Sequence, residues 1–264
     1  MTKTAAEIKA CCAGAYSSAA ARWLLGERFH PGGAELTSRL VRSLRAGPGS
    51  VVLDVACGVG ASTIQVARET GAEAVGVDLS DELLAKARAA AAAGELDGRV
   101  RFLEGDAEAL PLDDESVDAV LCECALCTFP DKPTAAAEMA RVLRPGGRLG
   151  LSDMVAEPDQ LPPELLSLQG WVACVAGARP REELAALLQT GGLRVEESSP
   201  ADDALLRLLD RVEARLRLAT MLTDSVPQEL RGWARQGLEL TAAAREAVDA
   251  DALGYAVLSA VKPA

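Results

Sequence analysis

The sequence is poor in aromatic side chains, which make up 3% of its 264 residues, and it contains a single histidine. With so few rings, any core must be aliphatic and alanine-rich. Apolar residues reach 49%, enough for a substantial core of helices packed on a Val/Leu sheet. The one histidine, His30, leaves one candidate for imidazole acid–base chemistry. It sits in the break Phe29-His30-Pro31-Gly32-Gly33, where it suits either a local loop hydrogen bond or a contact to a lid or substrate. Positive charge is also short. Lys and Arg number 27 against 39 Asp and Glu, a net charge of −12 that repels phosphate backbones and anionic lipid and argues against nucleic-acid partners. No apolar run approaches the ~18–20 residues that cross a bilayer, so no membrane partner is expected. The first residues, MTKTAAEIKACCAGAYSS, show neither a long apolar stretch nor a cleavage site, which points to the cytoplasm. Thiols there are mostly reduced, so the seven cysteines are expected as buried small hydrophobes or as ligands rather than as a disulfide framework.

What is present is an alternation of strands and helices. Residues 3–46 read as helical, with Ser17 or Ser18 capping a run to Leu25, and a further helix after the glycine break to about Leu44. Strands are expected at Val51–Val55, Ala72–Val77, Val100–Leu103, Val117–Cys122, Arg148–Ser152, Leu193–Glu197 and Tyr255–Val261. Helices are expected at Ser62–Glu69, from the Ser80 cap to Ala92, at Pro133–Leu143 and at Arg181–Gln189. Asp202 to about Ala250 is helical, with Pro227 and Gly237 as punctuation. The expected architecture is α/β: a doubly wound, mostly parallel seven-stranded sheet with right-handed crossovers. It divides into an N-terminal helical cap (1–46), a core (47–200), a helical insertion (201–252) and a last core strand (253–264).

The strand Val51–Val55 runs into Ala56-Cys57-Gly58-Val59-Gly60, a turn whose glycines let the backbone approach a ligand. In a doubly wound sheet the ligand crevice lies outside the carboxyl ends of the strands. The second strand ends at Asp78, placed to accept from ribose hydroxyls, and the third leads to Glu104-Gly105-Asp106-Ala107, where a carboxylate reaches an adenine amino group. Arg141-Val142-Leu143-Arg144-Pro145-Gly146-Gly147 is a helix end followed by a turn. The G-x-G-x-x-G spacing of dinucleotide sites is incomplete, because Thr63 stands at its third glycine.

This ordered set, from Val51 to about Ser152, resembles the class I methyltransferases and their Rossmann-like fold. The resemblance implies S-adenosylmethionine as cofactor and a small-molecule acceptor, and it carries no signal for an oligomeric state. It places Asp54 and Gly58 near the methionine part, Asp78 at the ribose and Asp106 at the adenine. The full cofactor set is Asp54, Ala56, Gly58, Gly60, Asp78, Leu79, Asp106, Ala107 and Glu123, with Ala56 standing where glycine is frequent.

Cysteines supply the acceptor argument. Cys122, Cys124 and Cys127 cluster at the end of the fourth strand, where an extended chain would put Cys122 and Cys124 on one face, and Cys174 follows the fifth strand. Thiolates bind soft centres, and three of them hold trivalent arsenic in a pyramid with its lone pair free. C-x-C-x-x-C is not a zinc knuckle and lacks a second ligand pair. The run Val120-Leu121-Cys122-Glu123-Cys124 with Phe129-Pro130-Asp131-Lys132, and Cys174-Val175-Ala176-Gly177 with Gly191-Gly192-Leu193, resemble arsenite methyltransferases. The resemblance implies Cys124 and Cys174 as the catalytic ligands of a thiol-bound arsenic(III) substrate. Cys57, Cys11 or Cys12 would supply the third thiolate, Cys12 being favoured. Two alternatives stand beside it: an organic acceptor (a thiol or natural-product hydroxyl) with the cysteines as packing, or a sensor that binds arsenicals or the cofactor without turnover.

Overall fold

The computed structural model describes residues 4–26, 28–96, 98–166, 174–221 and 228–264. Seven strands form one sheet: β1 (Val51–Val55), β2 (Glu73–Asp78), β3 (Val100–Glu104), β4 (Val117–Glu123), β5 (Leu143–Ala156), β6 (Arg194–Pro200) and β7 (Leu253–Val261). Their order is β3-β2-β1-β4-β5-β7-β6. The pairs from β3 to β5 are parallel, and β7 runs antiparallel to both its neighbours. The strand order reverses between β1 and β4, so a crevice opens beyond their carboxyl ends.

Helices cover the sheet. α1 (Ala5–Ser17) starts at a capping box between Thr4 and Glu7, and α2 (Ala19–Leu25) at Ser18, whose side chain accepts from the Ala21 amide. α3 (Gly33–Leu44), α4 (Ala61–Thr70), α5 (Asp81–Ala93), α6 (Lys132–Val142) and α7 (Arg181–Thr190) follow. Ser80 caps α5, as its position before an apolar run predicts, and Asp131 caps α6. α8 (Asp202–Met221) and α9 (Gln228–Asp249) pack along each other and lie between β6 and β7 in the chain.

Both faces of the central strands are buried under Val, Leu and Ala, so β1, β2, β4 and β7 read as apolar runs; β7 is buried along its whole length, whereas the edge strand β6 is largely exposed. Residues 33–44, expected in the cap, instead pack on the sheet. Leu36, Leu40, Val41 and Leu44 form the buried stripe of α3, and Gly150 of β5 admits it, since a Cβ there would lie 3.2 Å from Leu44. Truncating Leu40 to alanine would cost about 2–5 kcal/mol. β5 is longer than the expected 148–152 because β7 pairs with it from Arg148 to Ala156. Helix 202–250 is two helices; Pro227, read as its punctuation, lies outside the described residues, as do residues 171–173 ahead of Cys174. Among the described residues no helix is long and apolar enough to cross a membrane.

Candidate active site

The end of β1 enters a tight turn. Ala56, Gly58 and Gly60 have φ of 58°, 55° and 76°, the left-handed region. Glycine takes it freely; at Ala56 it costs about 1–2 kcal/mol. The turn is held by Asp78 at the end of β2. One of its oxygens accepts the Gly58 amide at 2.8 Å and the other the Ser80 amide at 2.9 Å. Burial pushes the Asp78 carboxyl up, against these backbone bonds. Gly60 departs from the expected set, since it does not line the cleft. A Cβ there would meet the Phe102 ring at 2.6 Å, so this glycine serves the packing of the turn.

Asp54 is buried under the turn and accepts from the Thr63 hydroxyl at 2.6 Å; burial raises its pKa to about 7. Glu123, at the end of β4, accepts from Ser62 (2.6 Å) and Thr37 (3.1 Å), with His30 Nε2 at 3.6 Å. His30 is buried in the cleft wall, and its Nδ1 lies 3.0 Å from the Pro31 carbonyl, the loop bond its surroundings suggest. Asp54, Ala56, Gly58, Asp78, Leu79, Asp106, Ala107 and Glu123 all line one cleft at the strand ends.

Helix α1 closes over this cleft through three side chains that the sequence reading did not place at the site. Lys9 Nζ donates to Asp106 at 2.6 Å and also pairs with Glu108. Burial works against the ammonium, but the two carboxylates outweigh it and raise the Lys9 pKa. The Ser17 hydroxyl gives its proton to Ala13 O and so accepts from Ser80, 2.9 Å away. The Tyr16 hydroxyl lies 3.1 Å from Cys174 Sγ. Phe29 adds a ring 5.5 Å from that of Tyr16.

At the edge of the cleft the sulfurs of Cys124, Cys127 and Cys174 lie within 4.8 Å of one another. Cys124 follows β4 in a left-handed conformation (φ 52°), and Cys174 is left-handed too (φ 65°). That twist breaks the alternation expected of Cys122 and Cys124. Cys122 stays in the core on one side of the sheet while Cys124 and Cys127 pack on the other. The third gathered thiol is therefore Cys127 and not Cys12. Cys12 lines the cleft from α1 outside the trio, and burial lifts its thiol to about 11. Cys11 lines a neighbouring chamber, and Cys57 is buried under the glycine turn against Gly76. Cys124 and Cys127 are three residues apart, and the 3₁₀ turn Leu126–Thr128 brings them to one side; that spacing was the available signal.

Within the trio, Cys174 is the thiol whose environment favours ionisation. Hydrogen bonds from the Cys124 and Cys127 thiols hold the Cys174 thiol well below its ordinary value, helped by Tyr16 and by the Lys132 ammonium. Lys132 is itself buried and donates to the carbonyls of Cys127 (3.0 Å) and Phe129 (2.9 Å). Asp153 accepts the Cys127 amide at 3.0 Å, and burial, then the Cys174 charge, raises its carboxyl to about 7.

The methyltransferase-domain family matches residues 53–151, the stretch from β1 into β5. Methyltransferase GfsG of Streptomyces halstedii is 31% identical over 241 residues, covering 88% of this chain and 81% of its own. The chain belongs to the S-adenosylmethionine-dependent methyltransferases. The arsenite methyltransferase of Halobacterium salinarum is 36% identical over 162 residues, 60% of this methyltransferase and 40% of the relative's length. A solved phosphoethanolamine N-methyltransferase 2 of Haemonchus contortus, bound to S-adenosyl-L-methionine, shares the fold. Its TM-score is 0.77 at 21% identity, over 93% of this chain and 56% of that one.

Proposed function

We propose that this methyltransferase transfers a methyl group to a trivalent arsenical held by Cys124, Cys127 and Cys174. The observation that carries the reading is the convergence of three thiols, from two separate segments, within 4.8 Å, one of which, Cys124, lines the cofactor cleft. Local similarity to an arsenite methyltransferase supports it.

In this reading the cleft holds the cofactor. Asp78, already fixed by two amides, has lone pairs left for the ribose hydroxyls; Asp106 and Ala107 flank the adenine; Asp54, Ala56, Gly58 and Glu123 surround the methionine part. S-adenosylmethionine supplies an electrophilic methyl on a sulfonium. Cys174 enters as a thiolate, and Cys124 and Cys127 lose their protons as arsenic binds. Thiolate ligation leaves the arsenic lone pair free. The lone pair forms the As–C bond as the methyl–sulfonium bond breaks in line, giving S-adenosylhomocysteine and a methylated arsenic(V) centre. Tyr16 and Lys132 stabilise the thiolate, and α1 keeps water from the reacting atoms.

A second reading, methylation of an organic hydroxyl, is consistent with 32% identity over 171 residues to the O-methyltransferase resE of Aspergillus sclerotiorum. Mass spectrometry of the products from cofactor with arsenite, small thiols and phenols separates the two. The arsenical reading expects methylated arsenic, lost in Cys124→Ser and Cys174→Ser with cofactor binding intact. Methylated phenol at an unchanged rate in those variants would replace it.

A further inference from the structure

Beside the cofactor cleft lies a second cavity of about 390 Å³, lined by α1 and α2 on one side and α8 and α9 on the other. The two spaces share Tyr16, Phe29 and Cys124, so they meet at Cys124, one of the three gathered thiols. Cys124, Cys174 and Met154 form part of the chamber's floor. Its walls are apolar stripes at helical spacing. α8 contributes Leu205, Leu208, Leu209 and Val212, and α9 contributes Leu240 and Ala244. The wall hydroxyls are spent: Ser18 donates to Ala15 O and Thr241 to Gly237 O, both at 2.7 Å.

An arsenic atom with three thiolates fills a small corner of such a space. Water against leucine walls is unfavourable, and the size is that of a site for a whole organic molecule. We infer that the chamber binds a bulky apolar organic group, and that on the arsenical reading above this group is carried by the arsenic itself. The substrate class is then a trivalent organoarsenical with an aryl or comparable hydrocarbon substituent. The substituent lies between α8 and α9 while its arsenic reaches the trio. Its contacts away from the floor are hydrocarbon on hydrocarbon.

Two readouts on the full chain test this separately from the arsenical reading. The first is titration with nitrobenzene, a non-fluorescent aryl compound with no arsenic, followed by the emission of Trp233 in the chamber wall in a Trp23→Phe, Trp171→Phe background. Saturable quenching is expected, and it should weaken about tenfold or more in the filling variant Ala244→Phe, checked for an unchanged melting profile. The second compares KM for arsenite and phenylarsenous acid. The phenyl compound should have a KM about tenfold lower, and Ala244→Phe should erase that advantage while leaving arsenite within about twofold. Absence of saturable quenching, or equal KM values unaffected by filling, overturns the chamber as a binding site. Quenching without methylation of either arsenical upholds the chamber and removes the arsenical reading instead.

Discussion

The hydroxyl of Tyr16, on the helix that closes the cleft, sits 3.1 Å from the sulfur of Cys174, 158 residues further along the chain. The lid therefore supplies part of the environment that lowers the Cys174 pKa. Tyr16→Phe removes that donor while keeping the ring beside Phe29, so the Cys174 pKa should rise. A pH titration of thiolate ultraviolet absorbance reads the change. An unmoved curve would mean that the cysteines alone set the charge.

Lys9 latches the same helix from its other end, to Asp106 and Glu108. The pair is partly exposed, so its loss should cost at most about 1 kcal/mol of stability. Lys9→Ala should thus leave melting nearly unchanged but speed cofactor release several-fold, because the lid opens more often. Stopped-flow displacement of S-adenosylhomocysteine measures this. A large drop in melting temperature with unaltered release would make Lys9 a structural residue only.

Asp78 combines two duties, holding the Gly58 turn and facing the cleft. Asp78→Ala should weaken S-adenosylhomocysteine binding about ten- to hundredfold, the value of a hydrogen bond to a charged group. Asp78→Asn keeps one carbonyl acceptor and should lose less. Calorimetry on both variants checks the order; equal affinities across the series would take Asp78 out of the cofactor site.

Most of the sheet was legible because its central strands are apolar runs bounded by turn residues, while the edge strand β6 is polar and was placed by the Gly191-Gly192 turn before it. All seven were placed within a few residues, and the caps Ser18 and Ser80 fell where their side chains predict. The strand-end residues Asp54, Asp78, Asp106 and Glu123 could be read from their order, because topology brings strand ends together. Other features depended on geometry that a linear pattern does not carry. The left-handed backbone at Cys124 turned it away from Cys122 and toward Cys127. Periodicity marks α3 as amphipathic but does not say whether its apolar face meets the sheet or a lid. Lys9, Tyr16 and Ser17 lie on a helix with no buried residue, so no hydrophobic pattern announced which side faces the cleft.

Two buried carboxyls give the fold a pH signature. Burial raises Asp54 and Asp153 from an ordinary 3.8 to about 7. Between these values the native state holds protons that the unfolded chain has released. Their contribution to stability is full below the ordinary value and is lost as pH rises through about 7. Asp153→Asn removes one such proton site, so its melting temperature should vary less between about pH 5 and pH 8 than that of the parent. Parallel profiles for the two proteins would contradict the assignment.

X-ray absorption at the arsenic edge, on protein loaded with one equivalent of arsenite, reads out which sulfurs hold the acceptor. Three sulfur neighbours are expected in the parent and in Cys12→Ser, and two sulfurs with one oxygen in Cys127→Ser. Arsenic surrounded by oxygen alone in the parent, or a sulfur lost in Cys12→Ser and kept in Cys127→Ser, would contradict the assignment of Cys124, Cys127 and Cys174 as the acceptor site.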